Sequence, residues 1–130
     1  MDLTPLKTLD HTVLLCRNLA EMKTFYRDVL GLPIETERER WIEFRMGSTI
    51  LSLRPRGVAP WGDDGPAVDG SAGVQLAFRV PPPAVDAWHA DLMARGVRVL
   101  RGPTDLTEWR HRTLFFADPE GNVLEIYAEY

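Results

Sequence analysis

Two glycines set the plan of this chain. Gly31 falls twenty residues after His11 and ends a strand-then-helix pattern; Gly96 falls twenty-one after Gln75 and ends another. A pattern that recurs at matched spacing is read as an internal repeat before any single motif is trusted. In the first copy, residues 9–17 read as a buried strand. His11, Val13 and Leu15 share one face, and Thr12, Leu14 and Cys16 share the other, because strand side chains alternate. Asn18 is placed to cap a helix whose apolar positions, Leu19, Met22, Phe25, Tyr26, Val29 and Leu30, recur at helical spacing. Gly31 ends that helix and Pro33 keeps it from resuming.

Three strands follow. Residues 34–40 are charged and suit an edge strand. Residues 41–46 alternate Trp41, Glu43 and Arg45 against Ile42, Phe44 and Met46, and residues 49–54 run back after a Gly47-Ser48 turn. The second copy repeats the order. A strand at 73–80 puts Gln75, Ala77 and Arg79 on one face. A helix after Pro81-Pro82-Pro83 has Val85, Trp88, Leu92 and Met93 as its core stripe. Residues 97–100 form a short strand, 101–108 a loop, and 109–117 with 123–127 a closing hairpin. That hairpin turns on Asp118-Pro119-Glu120-Gly121-Asn122, residues suited to a tight turn. The fold class expected is α+β: two βαβββ modules, about 7–55 and 73–130, within one domain spanning 1–130, their sheets forming one cupped, partly closed barrel with the helices outside.

Between the copies the pattern lapses. Residues 54–73 hold five glycines and three prolines with no periodicity, which reads as a linker (56–72) or a mobile loop. Trp61 within it is either a patch on the core or a lid.

Bulk properties exclude several classes. The net charge is −4 and no basic stripe is present, which argues against nucleic acid. One cysteine, Cys16, forms no internal disulfide and fits a reducing cytoplasm. No apolar run is long enough to span a bilayer, and the first residues lack the layout of a signal peptide.

One polar residue interrupts the last apolar strand: Glu125, on the face opposite Leu124 and Ile126. It is paired with an arginine (Arg45, Arg79 or Arg112), bound to a metal, or solvated. His11, Val13, Gln75, Ala77, His111 and Thr113 are expected on the same concave side. His11 reads either as a hydrogen-bonded core histidine or as a ligand, and Gln75 as a ligand or a hydrogen-bond partner across the cup. His89 reads as a solvated surface residue.

Leu9-Asp10-His11-Thr12-Val13-Leu14, Phe25-Tyr26-Arg27-Asp28-Val29-Leu30-Gly31-Leu32 and Asp118-Pro119-Glu120-Gly121-Asn122-Val123-Leu124-Glu125-Ile126 together resemble the vicinal oxygen chelate superfamily. This group contains glyoxalases, bleomycin-resistance proteins and extradiol dioxygenases. Leu76–Val80 and Ala94–Val97 carry the likeness into the second module. The resemblance implies a site in the cup, with metal ligands from the first and last strand of each module: His11, Gln75, Glu125, and either Ser52 (by strand alternation) or Leu51 (by counting from Gly47). Neither of the last two is a carboxylate. It further implies a divalent ion such as Fe, Mn, Ni or Zn, with Glu125 also available as a catalytic base. Trp41, Arg45, Trp61, Trp109, His111, Thr113 and Phe115 are the expected substrate contacts. Two functions follow: a metal-dependent lyase, isomerase or dioxygenase acting on a small oxygenated molecule, or a metal-free protein that sequesters an aromatic or cationic compound. A homodimer is implied in both.

Overall fold

The strand-and-helix order of the repeat is present in both halves. The structure is a computed structural model that describes residues 8–65 and 73–130. Two units divide the chain, Met1–Ala67 and Val68–Tyr130.

In the first unit β1 (His11–Cys16) leads into α1 (Leu19–Thr24), a π-helical turn (Phe25–Val29), β2 (Ile34–Arg38), β3 (Trp41–Met46) and β4 (Thr49–Pro55). The sheet order is β1-β4-β3-β2, with β1 and β4 parallel and the other pairs antiparallel. A parallel pair needs a long crossover, and the helix with two further strands supplies it. Leu14, Cys16, Ile42, Phe44, Leu51 and Leu53 are buried on one face, under Met22, Phe25 and Tyr26. The Tyr26 and Phe44 rings meet across that layer at 6.2 Å.

Asn18 caps α1, its side chain accepting the Glu21 N–H at 3.1 Å. The helix then departs from the single run that its periodicity predicts. Leu30 N–H bonds back to the Phe25 carbonyl at 3.2 Å, one residue wider than an α turn. The wider turn puts the adjacent Phe25 and Tyr26 both in the core. Gly31 ends it at φ 72°, where a side chain would be strained.

The second unit has β5 (Gln75–Arg79), α2 (Ala84–Ala94), β6 (Val99–Leu106), β7 (His111–Ala117) and β8 (Val123–Glu129), in the order β5-β8-β7-β6. β8 alternates without a break: Leu124, Ile126 and Ala128 are buried, while Val123, Glu125 and Tyr127 are half-buried on the other side. Asp118 fixes the β7–β8 turn. Its carboxylate accepts the backbone N–H groups of Glu120 and Asn122 and the Asn122 side-chain amide.

Strand pairing stays within each unit, giving the two four-stranded sheets of an α+β fold. Three expectations need correction. Residues 101–106 are not loop but most of β6, an edge strand with irregular register that tolerates the missing N–H of Pro103. Met93 is 57% exposed, so the α2 core is Val85 and Leu92 with Trp88 half-buried. His89 is half-buried rather than solvated, its Nε2 lying over Gly102 of β6.

The segment between the units is only partly described, and its described part is held in place. Arg54 grips the Asp64 carboxylate through two bonds of 2.8 and 2.9 Å, and Asp64 also accepts the Gly57 N–H at 2.7 Å. Arg40 donates to the Ala59 carbonyl at 3.0 Å. These bonds tie residues 56–65 to the first unit. The remaining linker residues, 66–72, lie outside the described ones.

Candidate functional site

In each sheet one face packs on the helix and the other is helix-free, and the helix-free faces carry the polar residues. In the second unit the register runs Ala77–Glu125–Phe115, one step along from Gln75–Val123. Glu125 is thus presented mid-sheet, flanked on β8 by Val123 and Tyr127. Thr113, fully buried, donates its hydroxyl to Glu125 Oε2 at 2.6 Å, and the Gln75 amide donates to Oε1 at 3.4 Å. Two neutral donors therefore orient the carboxylate and leave each of its oxygens a further lone pair.

None of the three arginines weighed as a partner for Glu125 is needed for this. Arg112 lies on the helix side, bonded to Asp86 and Asp105. Arg79 pairs with Glu129 at 3.0 Å, and Arg45 with Glu35 at 2.6 Å. The hydrogen bond from Arg112 holds the Asp86 carboxyl below its ordinary range. Further along the face, His111 stacks on Tyr127 with ring centroids 4.7 Å apart and its Nε2 3.8 Å from Glu129. Phe115 is half-buried beside Glu125. Trp109 is 69% exposed in the turn before β7, where its backbone N–H bonds to Leu106.

The first unit settles which residue is the counterpart of Glu125. His11 pairs with Ile50 and Val13 with Ser52, as Gln75 pairs with Val123 and Ala77 with Glu125. Ser52, not Leu51, occupies the matching place. It is fully buried, and its hydroxyl has no hydrogen-bond partner among the described residues. His11 Nε2 lies 2.8 Å from Asp10 Oδ2. Its ring is 6.2 Å from that of Trp41, which stacks on Trp61 at 5.9 Å and 22°. The Arg54 guanidinium sits 4.9 Å above the Trp61 ring. Asp64, through its bonds from Arg54 and then from the Gly57 N–H, is held well below the carboxylate range. The Asp64–Arg54 pair thus anchors the loop that brings Trp61 onto Trp41.

One residue that the sequence reading passed over belongs here. Glu43 lies between Ser52 and Thr36 in the strand register, half-buried on the same side of β3 as Trp41. The neighbouring Trp41 indole first, then Thr36, His11 and Arg45, keep its carboxyl below the ordinary value. The signal was available: the alternation of residues 41–46 puts Glu43 on the same side as Trp41 and Arg45.

Among the described residues no three His, Cys, Asp or Glu side chains stand together as a metal-binding group. A divalent ion at the expected ligands therefore depends on the Gln75 amide as a donor. The donor chemistry fits. Gln75 spends its NH2 on Glu125, which leaves its carbonyl oxygen to coordinate, and imidazole, amide and carboxylate together suit a first-row divalent ion with positions left open.

Comparison with known proteins agrees with the strand plan. Residues 8–126 match the family described as Glyoxalase/Bleomycin resistance protein/Dioxygenase superfamily. The chain is 33% identical over 119 residues to YraH of Bacillus subtilis (strain 168), covering 88% of this chain and 92% of that protein. It is 25% identical over 124 residues to the metallothiol transferase FosB of Staphylococcus epidermidis, covering 95% of this chain and 84% of FosB. A glyoxalase/bleomycin resistance protein/dioxygenase from Nocardioides has the same fold, with a TM-score of 0.79 at 24% identity over 95% of this chain and 83% of that one.

Proposed function

This chain belongs to the Glyoxalase/Bleomycin resistance protein/Dioxygenase superfamily, and we propose that it is a divalent-metal-dependent enzyme acting on a small oxygenated molecule. The observation that carries the reading is the bracing of Glu125 by Thr113 and Gln75 on a helix-free face. A carboxylate fixed by two neutral donors, with lone pairs to spare, is suited to hold a cation or to take a proton. His11, which matches Gln75 in the strand register, is the third donor the reading requires, supplied by the same chain or by the partner in a homodimer. The similarity to FosB, a metallothiol transferase by name, supports a metal.

Fe, Mn, Ni or Zn at His11, Gln75 and Glu125 would supply Lewis-acid polarisation of two neighbouring substrate oxygens. The chain's own residues supply the rest. Thr113 keeps Glu125 turned to the face through Oε2, so that a proton taken from a substrate carbon or hydroxyl arrives on a pre-oriented oxygen. Phe115, beside Glu125 in the sheet register, offers apolar surface to the remainder of the substrate. No helix among the described residues is long and apolar enough to cross a membrane, and the same reading makes the protein cytoplasmic.

The test is elemental analysis of untagged protein purified without chelator, beside His11→Ala, Gln75→Ala and Glu125→Ala. Stoichiometric metal in the parent, falling in all three variants, is expected. Equal, near-zero metal in parent and variants would sink the proposal.

A second reading, a metal-free binding protein of the bleomycin-resistance kind, rests on a different observation. The counterpart of Glu125 is the neutral Ser52, set beside a stacked tryptophan pair. Tryptophan quenching by an aromatic ligand panel, unchanged by chelator, is its expected mark; no quenching across the panel counts against it.

A further inference from the structure

On the helix-free face of the second sheet, Glu125 of β8 stands opposite Phe115 of β7, and Phe115 stands opposite Arg101 of β6. Residues paired across strands share a face, and a separate observation agrees. A side chain added at Gly102 would meet His89 of α2 at 3.6 Å, so position 102 looks to the helix. Arg101, the residue before it, looks the other way. The register of β6 is irregular on both sides of Arg101. Bulges of this kind re-aim a side chain and gather beside functional sites.

Arg101 also differs in its partners. The arginines of β5 and β7 are matched, Arg79 by Glu129 and Arg112 by Asp86 and Asp105. Arg101 is exposed and forms no ion pair with the described residues. Next to it Leu100 is 43% exposed, a large apolar side chain left in water on an edge strand. Phe115, half-buried, takes the place between these two and Glu125. The row thus runs from a braced carboxylate, over an apolar middle, to an unmatched guanidinium. Two strand spacings, about 10 Å, separate its ends.

We propose that this row selects an oxygenated aliphatic substrate that ends in a carboxylate, with the reacting oxygens at Glu125 and the carboxylate on Arg101. The span of the row sets the two ends of such a molecule roughly four to six carbons apart. A guanidinium presents paired donors that match the two oxygens of a carboxylate. Leu100 and Phe115 cover the methylene run between the ends. A tail ending in an amine meets Arg101 as a like charge, and an uncharged tail leaves the guanidinium to water. This inference rests on the reading of Glu125 as part of a metal site, and it adds the charge and length of the substrate.

The experiment is calorimetric titration of the full chain, loaded with zinc, at neutral pH and low salt. Three probes share one chelating head and differ in the tail: adipic monohydroxamate (acid), hexanohydroxamate (neutral) and 6-aminohexanohydroxamate (amine). Variants are Arg101→Gln and Arg101→Glu, each checked for fold by circular dichroism. The parent binds the acid about 3- to 10-fold more tightly than the neutral probe, a modest factor because an exposed ion pair is screened. The amine binds least tightly, and added salt narrows the differences. Arg101→Gln removes the preference for the acid, and Arg101→Glu puts the amine first. An arginine that only guards an edge strand against pairing would alter association or Tm, not the order of the probes. The proposal is overturned if the zinc-loaded parent binds none of the probes or binds all three alike, or if a folded Arg101→Gln keeps the parent's preference. A chain that takes up no zinc sinks the metal-enzyme reading and this inference with it; a zinc-loaded chain indifferent to the tail's charge sinks this inference alone.

Discussion

Across the first sheet the register Val13–Ser52–Glu43 runs at the level where the second sheet has Ala77–Glu125–Phe115. One residue further along each strand, on the helix side, the same alignment matches Leu51 with Leu124, Leu53 with Ile126 and Phe44 with Phe116, all buried. The two repeats thus agree where side chains pack on a helix and differ where they do not. The reason is physical. A helix-side position must fill a fixed volume in a close-packed layer. A helix-free position must only satisfy its polar atoms, and many residue types do so. The carboxylate has moved as well: the second unit holds it on its central strand as Glu125, braced by Thr113, while the first holds it one strand over as Glu43, between Ser52 and Thr36 in the register.

The harshest way to break this comparison is Ser52→Glu, which gives the first unit the carboxylate of the second. The position is fully buried and offers no partner to its present hydroxyl. An unpaired charge there is expected to cost about 3–5 kcal/mol, with part of the loss in Tm recovered by added Mn or Zn. A variant as stable as the parent without metal would mean that the two faces are more alike in hydration than their burial indicates. Next come Leu51→Ala and Leu124→Ala, expected to cost about 2–5 kcal/mol each in urea unfolding because each leaves a cavity under a helix. If one is costly and the other nearly free, the register alignment of the helix sides fails.

Smaller again is Thr113→Val, close to isosteric, which takes the hydroxyl from Glu125 Oε2. A hydrogen bond to a charged group is worth about 1.5–3 kcal/mol. Removing this support for a ligand is expected to weaken metal binding about 10- to 100-fold, measured by titration. Unchanged affinity would show that the bracing of Glu125 has no bearing on a metal.

The mildest probe is acid. Asp64 in the first unit and Asp86 in the second are both held below the ordinary carboxylate value by an arginine, Asp64 the further. Their contribution is complete above the unfolded-state value of about 3.9 and is lost as pH falls through the folded one. Between neutrality and about pH 5 neither should make stability depend on pH. Below that range, Trp61 fluorescence should change only after the Arg112–Asp86 contact has begun to titrate. A change in Trp61 emission that comes first would put the weaker clamp in the first unit.

Much of this plan could be read from the residues alone. The uninterrupted alternation of β3 and β8 and the helix-ending Gly31 and Gly96 leave little choice of element order. The misses share a cause, since each depends on contacts that leave no periodic trace. Gly102-Pro103 reads as loop unless the strand is known to lie at an edge. The extra residue of the π turn shows only as two adjacent aromatic residues, Phe25 and Tyr26. The course of residues 56–65 depends on contacts such as the Arg54–Asp64 pair, ten residues apart, and the bond from Arg40 to the Ala59 carbonyl. At the site, parity placed Thr113 and Glu125 on one side of the sheet, and the register then chose Ser52 over Leu51. Glu43 had the right parity too, but its place beside the unpartnered Ser52 shows only in the register.

In both units the last strand to leave the ribosome inserts between earlier ones: β4 between β1 and β3, β8 between β5 and β7. Until β8 is in place, β5 has no neighbour in its sheet and β7 has only β6. The pairing of β5 with β8 joins residues almost fifty positions apart, a distant contact of the sort that makes folding slow. The strand that completes the second sheet is also the one that carries Glu125. Assembly of this half and arrival of its carboxylate are therefore a single event, and a nascent or frayed form with an open β5 edge has no braced acid to misuse.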